Sequence, residues 1–215
     1  MSNKSNVLVQ KLESMDLLEK KAFRNSWFNS DEQFHQLYSP DIQLLARRHW
    51  TPLNVARTAA AFLAAESNVR VLDIGSGVGK FCLGAAYYKP DAIYYGVEQR
   101  KRLVTFAETV RNSLSLENVF FIHGNFTQID LRKYDHFYFY NSFYENLAGT
   151  DKIDDTIDYS GELYNYYNRY LYKQLDQVPV GSRLATFHSL DDEGPQSFHI
   201  VGSAMDNLLK FWIKV

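Results

Sequence analysis

Cysteine occurs once in this chain, at Cys82, and that scarcity excludes an internal disulfide. No Cys/His grouping has the spacing of a metal site. There is no apolar run of about eighteen residues and no charged-then-apolar leader, so neither a membrane span nor a secretory signal is expected. An excess of one charge is lacking too. Lys and Arg number 23 against 25 Asp and Glu, a formal net charge of −2, without the global basic footprint of a nucleic-acid binder. The clusters Arg47-Arg48 and Arg100-Lys101-Arg102 are small and read as solvated faces. No repeat of fixed period and no low-complexity linker interrupts the chain. What is left is one cytoplasmic globular enzyme, since 215 residues with 46% hydrophobic content suffice to bury a sizeable core.

The most specific stretch present is Val71-Leu72-Asp73-Ile74-Gly75-Ser76-Gly77-Val78-Gly79-Lys80. Val69, Val71, Leu72 and Ile74 form a buried-strand pattern, and the glycines let the backbone turn and approach a ligand without Cβ clashes. Phe81-Cys82-Leu83 to Ala85-Ala86 then carries helical spacing, so the turn opens a helix whose N-terminal amides face the ligand. A dinucleotide fingerprint needs a third small residue where Lys80 stands; here the third glycine comes one residue early. Asp73-x-Gly75-x-Gly77-x-Gly79, with Ser76 in the loop, resembles the first motif of the class I S-adenosylmethionine-dependent methyltransferases. That resemblance implies that Asp73 and the loop hold the amino-acid end of the cofactor.

Ile93-Tyr94-Tyr95-Gly96-Val97-Glu98 reads as a second strand ending in a carboxylate nineteen residues after Gly79. A carboxylate there accepts both ribose hydroxyls, and Gln99 is grouped with it in the cofactor set. Val119-Phe120-Phe121-Ile122-His123 gives a third strand, followed by Gly124-Asn125-Phe126. In the resembled family a polar residue at the place of Asn125 binds the adenine amino group and an apolar neighbour, here Phe126, stacks on the ring; Asp is more usual than Asn. A fourth strand, His136-Phe137-Tyr138-Phe139-Tyr140, ends in Asn141-Ser142-Phe143-Tyr144, beyond the carboxyl ends of the strands, where ligands of open α/β sheets lie.

Residues 1–50 read as a helical extension before a methyltransferase domain at 51–215. Val9, Leu12, Met15 to Leu18 and Ala22-Phe23 recur at helical spacing, Ser39-Pro40 breaks the pattern, and Ile42 to Ala46 starts another helical stretch. Thr51 is a good N-cap, with Pro52 in the first turn of an alanine-rich helix reaching Phe62-Leu63. Thr51-Pro52 also resembles the Thr-Pro element of amino-group methyltransferases that touches the cofactor, with Trp50 as a pocket wall. Residues 145–162 carry Asp151, Asp154, Asp155 and Asp158 against Lys152 and read as an acidic, solvated loop that would also attract a cationic substrate. Leu163, Tyr166, Tyr167, Tyr170, Leu171 and Leu175 form the buried face of a helix. A fifth strand, Arg183 to His188, and the segments Phe198–Val201 and Leu209–Val215 complete the expected α/β architecture: a Rossmann-like seven-stranded sheet with an antiparallel C-terminal pair.

Together, the motifs at Asp73–Lys80, Gly96–Glu98, Gly124–Phe126 and Asn141–Tyr144 look like those of the non-SET histone lysine methyltransferases, over roughly positions 70 to 147. Lys80, Asn125, Ser142 and Tyr144 depart from that pattern, and no basic tail for a nucleosome is present. The expected activity is methyl transfer from S-adenosylmethionine to an amine nitrogen on a protein lysine or small molecule. Asn141 would aim the amine lone pair, while Phe143 and Tyr144 wall the channel and face cationic charge. His123 and His188 sit at strand ends, where a structural role is the commoner one. The alternatives are an adenine-amino methyltransferase, disfavoured by charge and the missing Pro-Pro; a nicotinamide-dependent oxidoreductase, disfavoured by Lys80; and a non-catalytic cofactor-binding module. A nucleic-acid partner and a membrane partner are both disfavoured.

Overall fold

Val71, Leu72, Asp73 and Ile74 are all buried, the pattern of a strand covered on both faces. They lie in β1 (Arg70–Ile74), an interior strand of a seven-stranded sheet in the computed structural model, which describes residues 24–188 and 194–215. The other strands are β2 (Ile93–Glu98), β3 (Val119–His123), β4 (His136–Phe139), β5 (Arg183–Phe187), β6 (Phe198–Ala204) and β7 (Leu209–Lys214). Their order is β3-β2-β1-β4-β5-β7-β6; β1 to β5 run parallel, and β7 runs antiparallel to both β5 and β6. This is the architecture expected from the sequence.

Period-two alternation sends neighbouring side chains of a strand to opposite faces, and two cores result. Val71, Tyr94, Tyr138 and Ala185 join one cluster with Leu53, Ala56, Phe81 and Leu83. Leu72, Ile74, Phe137, Phe139 and Leu184 join the other with Leu171 and Leu175. The helices that supply these residues are α4 (Leu53–Leu63), α5 (Lys80–Tyr88) and α7 (Gly161–Leu175), with α6 (Lys101–Ser113) packed on β2 and β3.

Ahead of them, among the described residues, lie the short helices α1 (Asp31–His35), α2 (Pro40–Gln43) and α3 (Ala46–His49). Pro40 thus begins a helix at its first position, where the missing N–H costs nothing, instead of only ending one. Phe28, Phe34, Tyr38, Ile42 and Trp50 pack into the first core. The pattern from Val9 to Phe23 lies outside the described residues.

Two expectations need correction. Thr51 is not the cap of α4; Pro52 occupies that place without a side-chain bond, and the Leu53 N–H is satisfied by Asp31 Oδ1 at 3.0 Å. Thr51 Oγ1 instead pairs with Tyr138 Oη at 3.0 Å inside the sheet. On α7, Leu171 and Leu175 are buried, but Tyr166 is exposed, because the stripe at its N-terminal half meets only the short turns below it.

Candidate active site

The C-terminal ends of β1 and β2 converge on the glycine loop. Gly75 and Ser76 both donate their N–H to Val97 O at 3.0 Å, drawing the loop over the end of β2. A Cβ on Gly75 would lie 2.4 Å from Ser142 Cβ, so only glycine lets the two strand ends meet there. Ser142 Oγ completes this closure by donating to Ile74 O at 2.6 Å; its work is structural. At Gly77, with φ +53, a Cβ would meet nothing within 4 Å, and its N–H donates to Glu98 Oε2 at 3.1 Å.

Around this loop opens a cavity of about 660 Å³. Of the residues expected from sequence, Thr51, Asp73, Gly75, Ser76, Gly77, Glu98, Gln99, Phe126, Asn141, Phe143 and Tyr144 all line it, as does Trp50. Pro52, Gly79 and Asn125 do not. Asn125 Nδ2 donates to Gln99 Oε1 at 3.0 Å and to Tyr167 Oη at 2.9 Å, while its Oδ1 accepts from Thr127 N and Oγ1. Asn125 therefore orients Gln99 from behind the wall and caps the turn Phe126–Gln128. His188 faces the cavity, whereas His123 bonds Gln99 O outside it.

The polar groups of the cavity are in a state that calls for a ligand. Asp73 is buried and accepts from the Cys82 thiol at 3.7 Å; desolvation pushes its carboxyl well above the ordinary range. Burial likewise raises the Glu98 carboxyl, against the lowering effect of the Arg100 and Gly77 N–H groups. Among the described residues, Ser76 Oγ is buried without a hydrogen-bond partner. Two buried acids, an orphan hydroxyl and an open glycine suit a ligand that carries hydroxyls and a cationic group. Phe126 and Phe143, stacked at 4.9 Å between ring centroids, add an apolar face. Asn141 adopts φ +41, a left-handed turn for which Asn is suited, and Tyr144 is half exposed at the mouth.

One residue was misread from sequence, and another was left without a role. Lys80 stands at the first position of α5, and its side chain is only 3% exposed; its ammonium binds Asp31 and lies 2.8 Å from His35 Nε2. Burial lowers its proton affinity, and burial with the Lys80 charge does the same to His35. Arg100, which looked like part of a solvated basic run, is equally buried. It binds Glu145 at 2.8 Å, Tyr159 Oη at 2.7 Å and Asp154 at 3.1 Å, with Glu98 at 3.6 Å. The acidic loop is thereby partly neutralised from within, which weakens its expected attraction for cations. A charge run gives no signal for this because the partners lie 45 and 54 residues away.

Residues 65–158 match a family described as Methyltransferase domain. A tRNA (guanine-N(7)-)-methyltransferase of Synechococcus sp. (strain JA-3-3Ab) is 48% identical over 54 residues, 25% of this chain and 23% of that protein. One from Microcystis aeruginosa (strain NIES-843 / IAM M-2473) is 43% identical over 54 residues, 25% of this chain and 26% of that protein. The chain spans about a quarter of the length of these curated relatives. Among solved structures, an RNA methyltransferase from Salinibacter ruber in complex with S-adenosyl-L-homocysteine aligns with TM-score 0.52 and 17% identity, covering 77% of this chain and 92% of that one. TrmN from Thermus thermophilus aligns with TM-score 0.55 and 17% identity over 81% and 52%. The names of these relatives run against the expectation that nucleic acid is disfavoured, and they do not carry the finer resemblance to histone lysine enzymes. The chain has the class I, Rossmann-like fold, and its residues 65–158 are similar to a methyltransferase domain.

Proposed function

We propose that the chain is an S-adenosylmethionine-dependent methyltransferase acting on nitrogen, with a nucleobase of RNA as the acceptor class. The observation that carries the cofactor reading is Glu98: a buried carboxylate at the end of β2, bonded to the Gly77 N–H of the glycine loop, in a cavity that Asp73 and Gly75 also line. Glu98 and Gln99 would hold the ribose hydroxyls, Asp73 and the loop Gly75–Gly79 the amino-acid end, and Phe126 the adenine face. Asn125 takes a supporting part through Gln99. Thr51 contributes to the same wall, with Pro52 setting its backbone.

When bound, S-adenosylmethionine supplies a methyl group on a sulfonium. The chain's own part is to align and desolvate an in-line attack, a contribution worth several kcal/mol, roughly 7–11 at its upper end. Asn141 lines the path of the acceptor and would hold a base through its edge groups other than the attacked ring nitrogen, or aim an amine by accepting its N–H. Phe143 and Tyr144 wall its path, and Tyr144 offers a π face at the mouth. A ring nitrogen with a free lone pair requires no general base, which suits a wall whose acid Glu145 is held by Arg100. The relatives named above support this acceptor class. A protein lysine or other amine is the second reading, favoured by the Asn141–Tyr144 tetrad and its likeness to amino-group enzymes.

Calorimetric titration with S-adenosylmethionine, with NAD as control, tests the cofactor, and labelled methyl transfer onto unfractionated tRNA, histones and small amines tests the acceptor. Saturable S-adenosylmethionine binding and tRNA labelling are expected. Binding of NAD alone would overturn the cofactor, and labelling of histones or amines alone would shift the acceptor to the second reading.

A further inference from the structure

Residues Leu147–Ser160, between the turn Tyr144–Asn146 and α7, contain no helix or strand, yet the segment is fastened at many points. The Arg100 guanidinium sits within it, reaching Glu145 and Tyr159 through Nη2 and Asp154 through Nε. Tyr159 Oη also donates to Asp154 O at 2.6 Å and lies 3.3 Å from Glu145 Oε2. Lys152 ties the carbonyls of Glu145 and Leu147. At its other end Arg100 is bound to the cofactor side: its backbone N–H donates to Glu98 Oε1 at 2.8 Å, while Glu98 Oε2 takes the Gly77 N–H. Tyr144, Glu145, Asp151 and Ile153 of this region line the acceptor side of the cavity.

We propose that Arg100 is a positioning residue that couples cofactor occupancy at Glu98 to the order of the acceptor-side segment 144–160. This rests on the reading of Glu98 as the ribose carboxylate. The physical link is a shared acid. Glu98 is nearly dehydrated, and its charge is opposed by burial. Hydroxyl donors arriving on it favour the ionised form, and an ionised Glu98 holds the Arg100 backbone and guanidinium in place. Arg100 then presents its fork to Glu145, Asp154 and Tyr159 in one geometry, which is the geometry that shapes the acceptor wall. A fork with several fixed donors serves three partners at once; a lysine ammonium on a flexible stem does not.

Trypsin cleavage after Lys152 reports on the order of the segment, and calorimetry reports cofactor affinity independently. In the wild-type chain, saturating S-adenosylmethionine should slow that cleavage about 5- to 20-fold, the lower part of the range of ordinary coupling between two sites. Arg100→Lys and the milder Tyr159→Phe, which removes one hydroxyl and keeps the ring, should still bind cofactor, cleave faster without it, and lose most of the cofactor-dependent protection. A purely structural tie would raise the cleavage rate in both variants and leave the protection factor unchanged, which overturns the coupling. Wild-type protein that binds S-adenosylmethionine with no change in cleavage overturns it as well. Failure of the wild-type chain to bind cofactor at all would overturn the proposed function and the coupling together, and the calorimetric arm separates that outcome from the others.

Discussion

Glu98 and Asp73 are both buried carboxylates, but they do different work, and each can be tested alone. Glu98→Ala deletes the proposed ribose acceptor and the partner of the Gly77 N–H; the expected loss of S-adenosylmethionine affinity is about 2–4 kcal/mol, as for a charge-assisted hydrogen-bond pair. Glu98→Gln should lose less, because one acceptor oxygen persists. Calorimetric affinities that hardly move would remove Glu98 from the cofactor site. Asp73 gives a pH signature. Its pKa is raised in the folded chain by desolvation, so the folded state binds this proton more tightly than the unfolded one. Its contribution to stability is present below the unfolded value and is lost as pH rises through the folded one. A cationic cofactor group needs the ionised form, so the rise in Tm given by S-adenosylmethionine should grow as pH rises from the ordinary carboxylate range through the raised folded value. Asp73→Asn should flatten that trend, and a pH-independent rise in the wild type would sever Asp73 from the cationic group. The places of Glu98, Asp73, Gly75 and Gly77 on the cavity were legible from sequence because all lie within one βαβ unit, where chain spacing fixes position in space. Arg100 and Asn125 were not, because their roles depend on Tyr159 and Tyr167, which arrive from much later in the chain.

At the scale of elements, the strands were read well and the junctions poorly. A strand buried on both faces writes itself as an apolar run, whereas a helix end can be capped by any residue the fold brings near. Asp31 illustrates this. It caps α4 through the Leu53 N–H and pairs with Lys80 at the start of α5, so one carboxylate joins α1 to both helices flanking the glycine loop. Asp31→Ala removes the cap, worth about 1 kcal/mol, and strands a buried ammonium beside His35. The Asp31 side chain is 35% exposed, which discounts the ionic part for solvent screening. A total destabilisation of about 2–4 kcal/mol is expected in urea unfolding, with Asp31→Asn intermediate because an amide oxygen still caps. Equal losses in the two variants would mean that the cap contributes nothing and the charge everything. Lys80→Met should recover part of the Asp31→Ala loss, since it removes the stranded cation; a recovery near zero would refute the pairing.

For the whole molecule, the strand order places the crevice where the sheet reverses direction of growth, between β1 and β4, and the cavity lies there. That placement was expected from the motif order alone, because parallel strands joined by right-handed crossovers leave few other arrangements. Net charge bears only weakly on the proposed acceptor. A charge of −2 repels a polyanion only at long range, and a base recognised inside an aromatic cavity needs few phosphate contacts. Arg47 on the cavity lining and Lys101 beside Arg100 are exposed cations, while Arg102 is paired with Asp41. Binding of tRNA should therefore weaken with salt only gently, with a slope of log K against log salt of about −1 to −3, corresponding to few neutralised phosphates. Trp50, Tyr140 and Tyr144 line the cavity that would receive the base, so Tyr144→Ala should cost about 1–3 kcal/mol of tRNA affinity while leaving the salt slope unchanged. A slope steeper than about −5 would mean that affinity comes from a basic surface beyond these residues and that the charge argument misjudged the molecule. A shallow slope together with a Tyr144 effect would place recognition in the base, where methyl transfer to nitrogen requires it.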